Sequence, residues 1–386
     1  MFVSSGGNEY PEGTDGYQDR LYINTDGTNF LKTTAVPTIG LSTGSITTLD
    51  YDNDGDQDLF VAGRQIPGKY GRKTNSLLLE NTRESLLNVT PEKAEIFNEL
   101  GMVTGAVWAD INGDEKKELI VTGEWMPITI LEWIDGKFVK TENPTLETSN
   151  GLWNTIQISD IDKDGDMDIV AGNYGLNYKY TASKEAPFKL FVNDFDKNGT
   201  NDVYLGYQDE TDGNLYPVRG RQCSSEQMPF VADKFANYNA FGKATVTDVL
   251  EGKLEGSTVE ECHTFAHTLY LNNGKGNFSI KELPMRAQSA PIYDMEIRDF
   301  DHDGHLDIFA VGNFHQREVE TTRSDAGVGS LMLGDGKGNF KTLGPDQTGI
   351  LADKDARSMG VLNGPNQKKI LVVANNGSPV QFFEGK

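Results

Sequence analysis

The chain has 386 residues, with 58 acidic side chains against 35 basic ones and a formal net charge of −23. Such a charge repels phosphate backbones, so the composition argues against nucleic-acid binding, and no apolar run approaches the roughly 20 residues of a membrane helix. Aromatic residues make up 10% of the chain and apolar runs recur at intervals, which excludes a disordered acidic polymer.

One unit recurs along the chain: a short apolar strand, an Asp-rich turn, and a second apolar strand that ends in small residues. Its clear copies lie at 45–63, 105–123, 155–172, 189–206 and 293–312. The apolar segments are rich in Val, Ile, Leu and aromatic residues, which is strand composition, and their near-continuous hydrophobicity indicates burial on both faces. Partial copies at 2–8 and 358–376 bring the number of second strands to seven.

Hairpins with Asp-Gly or Asn-Gly turns lie between these copies. They span 20–34, 128–142, 268–283 and 330–344, with a looser copy at 75–90. Two strands and a hairpin make a four-stranded sheet, and sheets of this kind arranged radially leave short edges exposed. The sequence therefore predicts an all-β fold of four-stranded blades in one domain over 1–386.

The spacing of the second strands is uneven. Ile169 and Val203 lie 34 positions apart, whereas Val203 and Ile308 lie 105 apart. This spacing predicts one missing or minimal outer hairpin, and a small, partly helical insertion at 209–267 that decorates one blade. Because both ends of the chain cut a repeat, we expect it to be part of a larger surface protein or assembly.

The Asp-rich turns have the composition of a calcium loop. In the first turn Asp50, Asp52, Asp54 and Asp58 stand at positions 1, 3, 5 and 9, and the backbone carbonyl of Asp56 can add a ligand. Calcium takes six to eight oxygens, which suits this pattern. An EF-hand would need a glutamate at position 12 and flanking helices, so that class is excluded. The alternative is a plain Asp/Asn/Gly turn without metal.

Four further turns repeat these positions, with a backbone carbonyl again expected at position 7. Their candidate ligands are Asp110, Asn112, Asp114, Lys116 and Glu118; Asp160, Asp162, Asp164, Asp166 and Asp168; Asp194, Asp196, Asn198, Thr200 and Asp202; and Asp299, Asp301, Asp303, His305 and Asp307. We expect about five Ca²⁺ sites, strongest at Asp50, Asp160 and Asp299. The Asp110 loop should be weakest, because Glu115 replaces the turn glycine. Folding should depend on calcium, since close carboxylates repel one another.

These loops, and hairpins such as 269–278, resemble the FG-GAP/VCBS repeats of bacterial surface proteins and of the integrin α-subunit propeller. The segments 172–180 and 216–229 also look like those of long bacterial VCBS-repeat proteins. The resemblance implies a seven-bladed β-propeller with calcium on its lower face, at an extracellular or cell-surface location. The chain itself shows no signal peptide at its N-terminus. It departs from the pattern by lacking the first and last metal loops and by carrying the insertion.

Candidate ligand-binding residues follow the second strands. If the Asp turns share one face, the residues after these strands emerge on the opposite, upper face, where amides and aromatic rings suit sugars or extended peptides. The candidates are Arg64, Gln65, Glu124, Trp125, Asn173, Tyr174, Tyr207, Asn313, His315 and Arg317. In the insertion, Arg219 and Arg221 either bind an anionic group or bridge neighbouring blades. The alternative for each of these residues is an ordinary role in turns and packing.

The sequence has no P-loop and no HExxH pattern. The pair His263 and His267 would suit zinc on a helix, but the segment alternates as a strand does. Cys223 and Cys262 form either one disulfide or two thiols. We therefore predict a non-catalytic, calcium-stabilised scaffold that binds a glycan or protein at the cell surface. The alternative is a polysaccharide-degrading enzyme or accessory subunit, because two of the many carboxylates could act as the catalytic pair of a glycoside hydrolase.

Overall fold

The computed structural model describes residues 1–317, 321–365 and 368–384, and strands dominate it. In chain order the strands are β1 (Phe2–Val3), β2 (Arg20–Asn24), β3 (Phe30–Thr33), β4 (Ser42–Leu49), β5 (Asp58–Gln65), β6 (Leu77–Asn81), β7 (Leu86–Asn88), β8 (Met102–Ala109), β9 (Glu118–Met126), β10 (Thr129–Ile134), β11 (Lys137–Thr141), β12 (Gly151–Leu152), β13 (Thr155–Ser159), β14 (Asp168–Gly172), β15 (Phe188–Asn193), β16 (Asp202–Gln208), β17 (Leu215–Pro217), β18 (Thr258–Cys262), β19 (Thr268–Asn272), β20 (Phe278–Glu282), β21 (Asp294–Arg298), β22 (Asp307–Val311), β23 (Ser330–Gly334), β24 (Phe340–Leu343), β25 (Ala356–Asn363), β26 (Lys369–Asn375) and β27 (Gln381–Glu384).

Helices are few and short. The α-helices are α1 (Thr90–Lys93), α2 (Arg221–Gln227), α3 (Phe230–Lys234), α4 (Tyr238–Phe241), α5 (Val246–Val249) and α6 (Pro345–Thr348), and single 3₁₀ turns span Asp15–Tyr17, Glu95–Phe97, Leu146–Thr148 and Ala287–Ser289. Four of the six α-helices lie in the segment that the sequence predicts to be a partly helical insertion.

The strands form antiparallel sheets in chain order. Sheet 1 is β1-β2-β3, sheet 2 is β4-β5-β6-β7, and sheet 3 holds β8 to β12 around β9. Sheet 4 is β13-β14-β19-β20, sheet 5 is β21-β22-β23-β24, and sheet 6 is β25-β26-β27. A further sheet, with the order β17-β16-β15-β18, lies in the chain between β14 and β19 and is called here the inserted sheet. The all-β prediction is confirmed, and four of the seven sheets in the described residues have the predicted four strands, whereas sheets 1 and 6 have three and sheet 3 has five.

Each Asp-rich turn joins a first strand to a second strand in the same register. The residue before loop position 1 pairs with position 9 in all five copies, as in Leu49↔Asp58 and Ser159↔Asp168. The turns therefore have one length and place their side chains alike, which is the regularity that the repeat predicts.

Neighbouring sheets pack face to face through the second strands. In β9, Val121 packs towards sheet 2 and Ile120 towards sheet 4; in β22, Ile308 packs towards sheet 4 and Phe309 towards sheet 6. Alternate side chains thus enter the cores on the two sides, which explains why these strands are apolar throughout. The first strands β4, β8, β13, β21 and β25 contact one another in that order.

The insertion begins earlier than the sequence predicts. The outer hairpin of sheet 4 is β19-β20, whose first strand pairs with β14 through Ile169↔Tyr270. The segment 173–267 therefore leaves sheet 4 and returns to it, and the strand at Val203 belongs to the inserted sheet. Sequence spacing cannot reveal this, because β14 and β19 pair across almost 100 residues.

The inserted sheet packs on sheet 3, where its strand β18 contacts β9 and β12. Phe188 and Leu190 share a core with Met102, Trp125 and Leu152. A second core joins the inserted sheet to its own helices through Phe195, Tyr204, Met228 and Val246. Cys223 and Cys262 do not form a disulfide, and Cys262 is buried, so the disulfide alternative is excluded.

Candidate functional site

The five Asp-rich loops share one backbone geometry. The amide of position 6 donates to the carboxylate of position 1, as from Gly165 to Asp160 at 3.2 Å. The amide of position 7 donates to the side chain of position 5, as from His305 to Asp303 at 2.7 Å. Positions 4 and 6 are left-handed in every loop, which explains the glycine at position 6 in four of the five.

In the first, third and fifth loops, the aspartate at position 9 ties the loop to a neighbouring strand of the sheet. Asp168 accepts hydrogen bonds from the amide of Ile161, near the start of the loop, and from the amide of Asn272, the last residue of β19. Asp307 does the same with Phe300 and Gly334. Burial raises the pKa of Asp168 to about 6, and that of Asp58 to about 6 as well. Such carboxylates are charged at neutral pH at a cost that a bound cation would offset.

Four loops bring carboxylates together. Within each, one oxygen from every member lies within 4.8 Å of the others, in the clusters Asp50–Asp52–Asp58, Asp160–Asp162–Asp168, Asp194–Asp196–Asp202 and Asp299–Asp301–Asp303. These clusters have the donor set that a metal ion such as calcium requires.

Unpartnered oxygens mark where a cation would lie. The buried Oδ1 atoms of Asp52, Asp160, Asp162 and Asp299 have no hydrogen-bond partner among the described residues. In the Asp194 cluster, by contrast, every carboxylate oxygen of Asp194, Asp196 and Asp202 accepts a hydrogen bond. The residues of the first, third and fifth loops therefore fit a metal best, and these are the loops that the sequence ranks highest.

The Asp110 loop differs from the others. Among the described residues its carboxylates form no such cluster, and Asp110 accepts three backbone amides, from Gly113, Asp114 and Glu115. Glu115 has a φ of 70°, a conformation that costs a non-glycine residue free energy. Burial raises the pKa of Glu118 to about 7. This loop therefore holds its shape by internal hydrogen bonds.

A cavity of about 840 Å³ lies where the first strands of sheets 2 to 6 meet. Its walls include Ser45, Thr104, Gln157, Asp294 and Ser358, one from each of these sheets. Gly44 permits the close approach of β4 to β8, because a Cβ there would lie 2.2 Å from the carbonyl oxygen of Val103. The cavity is large enough for a ligand of a few hundred daltons.

A hydrogen-bond network surrounds Glu124 at this cavity. Its Oε1 accepts from Arg64 Nη2 at 2.6 Å and its Oε2 from the Tyr70 hydroxyl at 2.6 Å, while Trp125 Nε1 donates to that hydroxyl at 2.9 Å. Glu124 is 6% exposed. Trp125 has a φ of 62°, and its ring stacks on Phe188 of the inserted sheet. The network thus orients Arg64 and anchors the inserted sheet.

Aromatic rings and a second arginine line another part of the cavity. Arg357 lies over the ring of Tyr293 at 4.0 Å and over Phe314 at 5.2 Å, and its Nη2 lies 2.8 Å from Asp355 Oδ1. Tyr174 and Tyr293 lie deep in the fold but contact the cavity, and burial raises the pKa of both hydroxyls. They therefore stay neutral donors at any physiological pH.

The structure brings three of the predicted ligand-binding residues, Arg64, Glu124 and Tyr174, to this cavity. Asn173 and Asn313 are buried instead, and their amides donate to backbone carbonyls of Thr264 and of Gly327 and Lys354. These two asparagines therefore close turns between segments, which is the ordinary role given above as the alternative to ligand binding.

The other predicted residues of the upper face lie outside the cavity lining. Gln65 donates to the Gly7 carbonyl, and Tyr207 packs on Tyr180 with ring centroids 4.8 Å apart. Arg317 lies over the rings of Tyr174 and Tyr178, behind the cavity wall. His315 is half-buried, and its Nε2 has no partner among the described residues.

The two arginines of the insertion hold the insertion together. Arg219 donates to Gln227 at 2.9 Å, and Gln227 in turn donates to Asp202 of the fourth loop at 3.3 Å. Arg221 donates to the Phe235 and Ala232 carbonyls. These acceptors are an amide and backbone carbonyls within the insertion.

Sequence reasoning missed Tyr70, Tyr293 and Arg357. Tyr293 and Arg357 stand at the start of first strands, and in an antiparallel hairpin that end lies beside the end of the second strand. The same rule that selected Arg64 and Glu124 would therefore have selected them. Tyr70 lies in a loop, and nothing in its local sequence distinguishes it.

The histidine pair does not form a metal site. His267 is buried, with its Nδ1 accepting the Asn173 amide and its Nε2 2.9 Å from the Ala290 carbonyl. His263 contacts the Thr148 carbonyl and Glu261. Among the described residues, every helix is too short and too polar to cross a membrane.

Comparison with known proteins shows that part of the chain matches the sequence model of a known repeat family. Residues 110–171 match the sequence model of the FG-GAP-like repeat, a stretch that runs from the second loop through β9 to β13 and the third loop into β14. The resemblance to FG-GAP/VCBS repeats is thereby confirmed. A search of curated proteins found no match.

The solved structures to which this chain is similar share little sequence with it. A lectin of Agrocybe aegerita, solved for its recognition of non-reducing terminal N-acetylglucosamine, is 17% identical over 99% of this chain and 89% of its own, with a TM-score of 0.34. The V. cholerae biofilm matrix protein Bap1 is 10% identical over 93% and 72%, with a TM-score of 0.34. A Chaetomium thermophilum Polycomb Repressive Complex 2 chain is 9% identical over 88% and 66%, with a TM-score of 0.28.

Proposed function

This chain carries FG-GAP-like repeats, and we propose that it is a calcium-stabilised, extracellular binding scaffold without catalytic activity. Sheets 1 to 6 are taken as successive propeller blades, of which sheets 2 to 6 surround the cavity, and the inserted sheet is taken as an addition to sheet 3. The ligand is a glycan held in the cavity. The observation that carries the proposal is this cavity, whose polar groups are already fixed in place by internal hydrogen bonds.

The size and lining of the cavity favour a glycan over a protein surface. A volume of about 840 Å³ fits a few sugar rings. Tyrosines, asparagines and a glutamine line it, and such side chains stack on sugar rings and form directional hydrogen bonds with hydroxyls. A flat protein partner would instead need a broad exposed patch.

The lining carboxylates support a non-catalytic role. Glu124 accepts hydrogen bonds on both oxygens, from Arg64 and Tyr70. Asp294 accepts from the Met359 amide and the Ser358 hydroxyl. A glycoside hydrolase needs one carboxyl group free to donate a proton and a second free to attack or to activate water. Neither carboxylate is free in this way.

The four carboxylate clusters are proposed as calcium sites. Calcium would neutralise their charge and hold each loop against the sheet. Secretion is proposed with them, since extracellular fluid supplies millimolar calcium.

A glycan array probed with and without calcium tests the proposal, together with an activity screen on the polysaccharides that bind. We expect binding with calcium, loss of binding in chelator, and no release of reducing ends. Release of reducing ends would instead support the polysaccharide-degrading alternative. Binding that survives Tyr293→Ala would show that the ligand lies elsewhere.

A further inference from the structure

Two arginines line the cavity from different sheets. Arg64 lies in β5 of sheet 2, and Arg357 lies in β25 of sheet 6. Arg357 lies over the ring of Tyr293 at 4.0 Å, and Arg64 lines the same cavity as that ring. The two guanidinium groups therefore line one cavity, which also contains the Tyr293 ring.

The carboxylates that line the cavity already accept hydrogen bonds from other residues of the protein. Both oxygens of Glu124 are occupied. Asp294 accepts three hydrogen bonds, from the Met359 and Met295 amides and the Ser358 hydroxyl, and burial raises its pKa. These carboxylates hold the wall in shape, and they leave the arginines as the charged groups with donors to spare.

An arginine has five N–H donors, and few of them are used here. Arg64 donates from Nη2 to Glu124, and Arg357 has Nη2 against Asp355. Their side chains are 48% and 29% exposed. The remaining donors suit an acceptor that enters the cavity, and a carboxylate matches a guanidinium best.

A third arginine adds positive potential behind the wall. Arg317 lies over the rings of Tyr174 and Phe314, which line the cavity. Its Nε, Nη1 and Nη2 atoms are buried, and they have no acceptor among the described residues. Because Arg317 has no acceptor among the described residues, its charge favours an anionic ligand, even in a chain of net charge −23.

We infer that the cavity binds an acidic sugar, with its carboxylate between Arg64 and Arg357 and its ring against Tyr293. This inference rests on the proposed function and names the ligand class of that site. Asn154, Gln157 and Asn376 also line the cavity and supply partners for ring hydroxyls. An acidic peptide has the carboxylate but lacks those hydroxyls, so the sugar accounts for more of the lining.

Titration calorimetry with short uronate oligosaccharides tests the inference. The probes are trimers of galacturonate, glucuronate, mannuronate and guluronate, and the control for each is its methyl ester, which keeps the shape and loses the charge. We expect at least one acid trimer to bind, and its ester to bind about tenfold to a hundredfold more weakly, as the loss of charged hydrogen bonds implies.

The informative variant is Arg357→Lys, which keeps the charge and loses the forked donor. We expect it to weaken the acid trimer about tenfold and to change the ester little. Arg298→Lys is the matched control: Arg298 also pairs with a carboxylate, Glu296, and lies over an aromatic ring, Phe300, but at the loop end of β21. It should leave binding unchanged. Melting curves verify that each variant is folded, and Arg64→Lys serves if Arg357→Lys does not fold.

Several outcomes would overturn the inference. Equal affinity for acid and ester would refute the role of charge, while glycan binding itself stood. Binding lost in Asp162→Asn but kept in Arg357→Lys would place the uronate on loop calcium. No binding by any of the four acid trimers would refute the acidic sugar, and the neutral sugars of the glycan array would then decide the proposed function separately. Binding of a polyglutamate peptide alone, lost in Arg357→Lys, would assign the cavity to protein.

Discussion

The substitution Tyr70→Phe removes one hydroxyl from the centre of the network at the cavity. That hydroxyl donates to Glu124 Oε2 at 2.6 Å and accepts from Trp125 Nε1 at 2.9 Å. Without it, the indole N–H of Trp125, which is 4% exposed, loses its partner, and Glu124 keeps Arg64 alone. The change leaves packing almost intact, so its effect reports on hydrogen bonding.

The expected loss is about 2.5 kcal/mol. A buried polar group left without a partner costs about 1–3 kcal/mol, and a bond to a charged group contributes about 1.5–3 kcal/mol. Water from the cavity can replace part of the bond to Glu124, so the total should stay at the lower end of the sum. For a chain of this length, the melting temperature should fall by roughly 2–4 °C.

The assay is thermal unfolding in saturating calcium, compared with Tyr216→Phe. Tyr216 also donates to a carboxylate, Asp212, at 2.7 Å, but on the surface. We expect a smaller loss there, because water replaces an exposed bond. The double substitution Tyr70→Phe with Glu124→Gln should cost less than the sum of the two, since they share one bond. A loss in Tyr70→Phe no greater than in Tyr216→Phe would refute this reasoning.

Three further predictions concern the loops. Removing calcium should lower the melting temperature, since each site contributes about 2.7 kcal/mol at a hundredfold excess over its Kd; an unchanged midpoint in chelator would contradict the structural role of metal. Asp162→Asn should reduce the calcium-induced rise in melting temperature, whereas Asp114→Asn should not, and equal effects would contradict the ranking of the loops. In chelator, the pKa of Asp58 and of Asp168 is higher in the folded chain, about 6, than in the unfolded chain, about 4. Protonation of these two groups therefore stabilises the fold fully below about pH 4, and this stabilisation is lost as the pH rises through about 6. The metal-free protein should therefore melt higher at pH 5 than at pH 7.5, and the opposite order would refute the assignment.

Local features of the fold could be predicted from the sequence, and long-range pairing could not. The turn at Asp160 and its strands form a pattern of about 18 residues that needs no distant partner, and its register follows from the turn. The loop at Asp194 has the same pattern but lies in the inserted sheet. What separates the two is the pairing of β14 with β19, which depends on residues almost 100 positions away.

The cavity was predicted in part for a similar reason. The end of a second strand can be located from its apolar run, and that rule gave Arg64 and Glu124. The rule fails at Asn173 and Asn313, where the same position serves a turn, because an amide that binds backbone looks identical in sequence to one that faces a ligand. The prediction that Glu115 adopts the turn conformation usually given to glycine was correct, because its left-handed φ follows from the turn geometry alone.

The most direct test of the account is a crystal of the chain grown in millimolar calcium, with anomalous data collected where calcium scatters strongly. We predict peaks within the clusters at Asp50, Asp160 and Asp299, a weaker one at Asp194, and the weakest or none at Asp110. Each peak should lie beside the carboxylate oxygens that lack a partner, such as Asp160 Oδ1 and Asp162 Oδ1. Empty clusters at Asp50, Asp160 and Asp299 under these conditions would contradict the account of a calcium-stabilised scaffold.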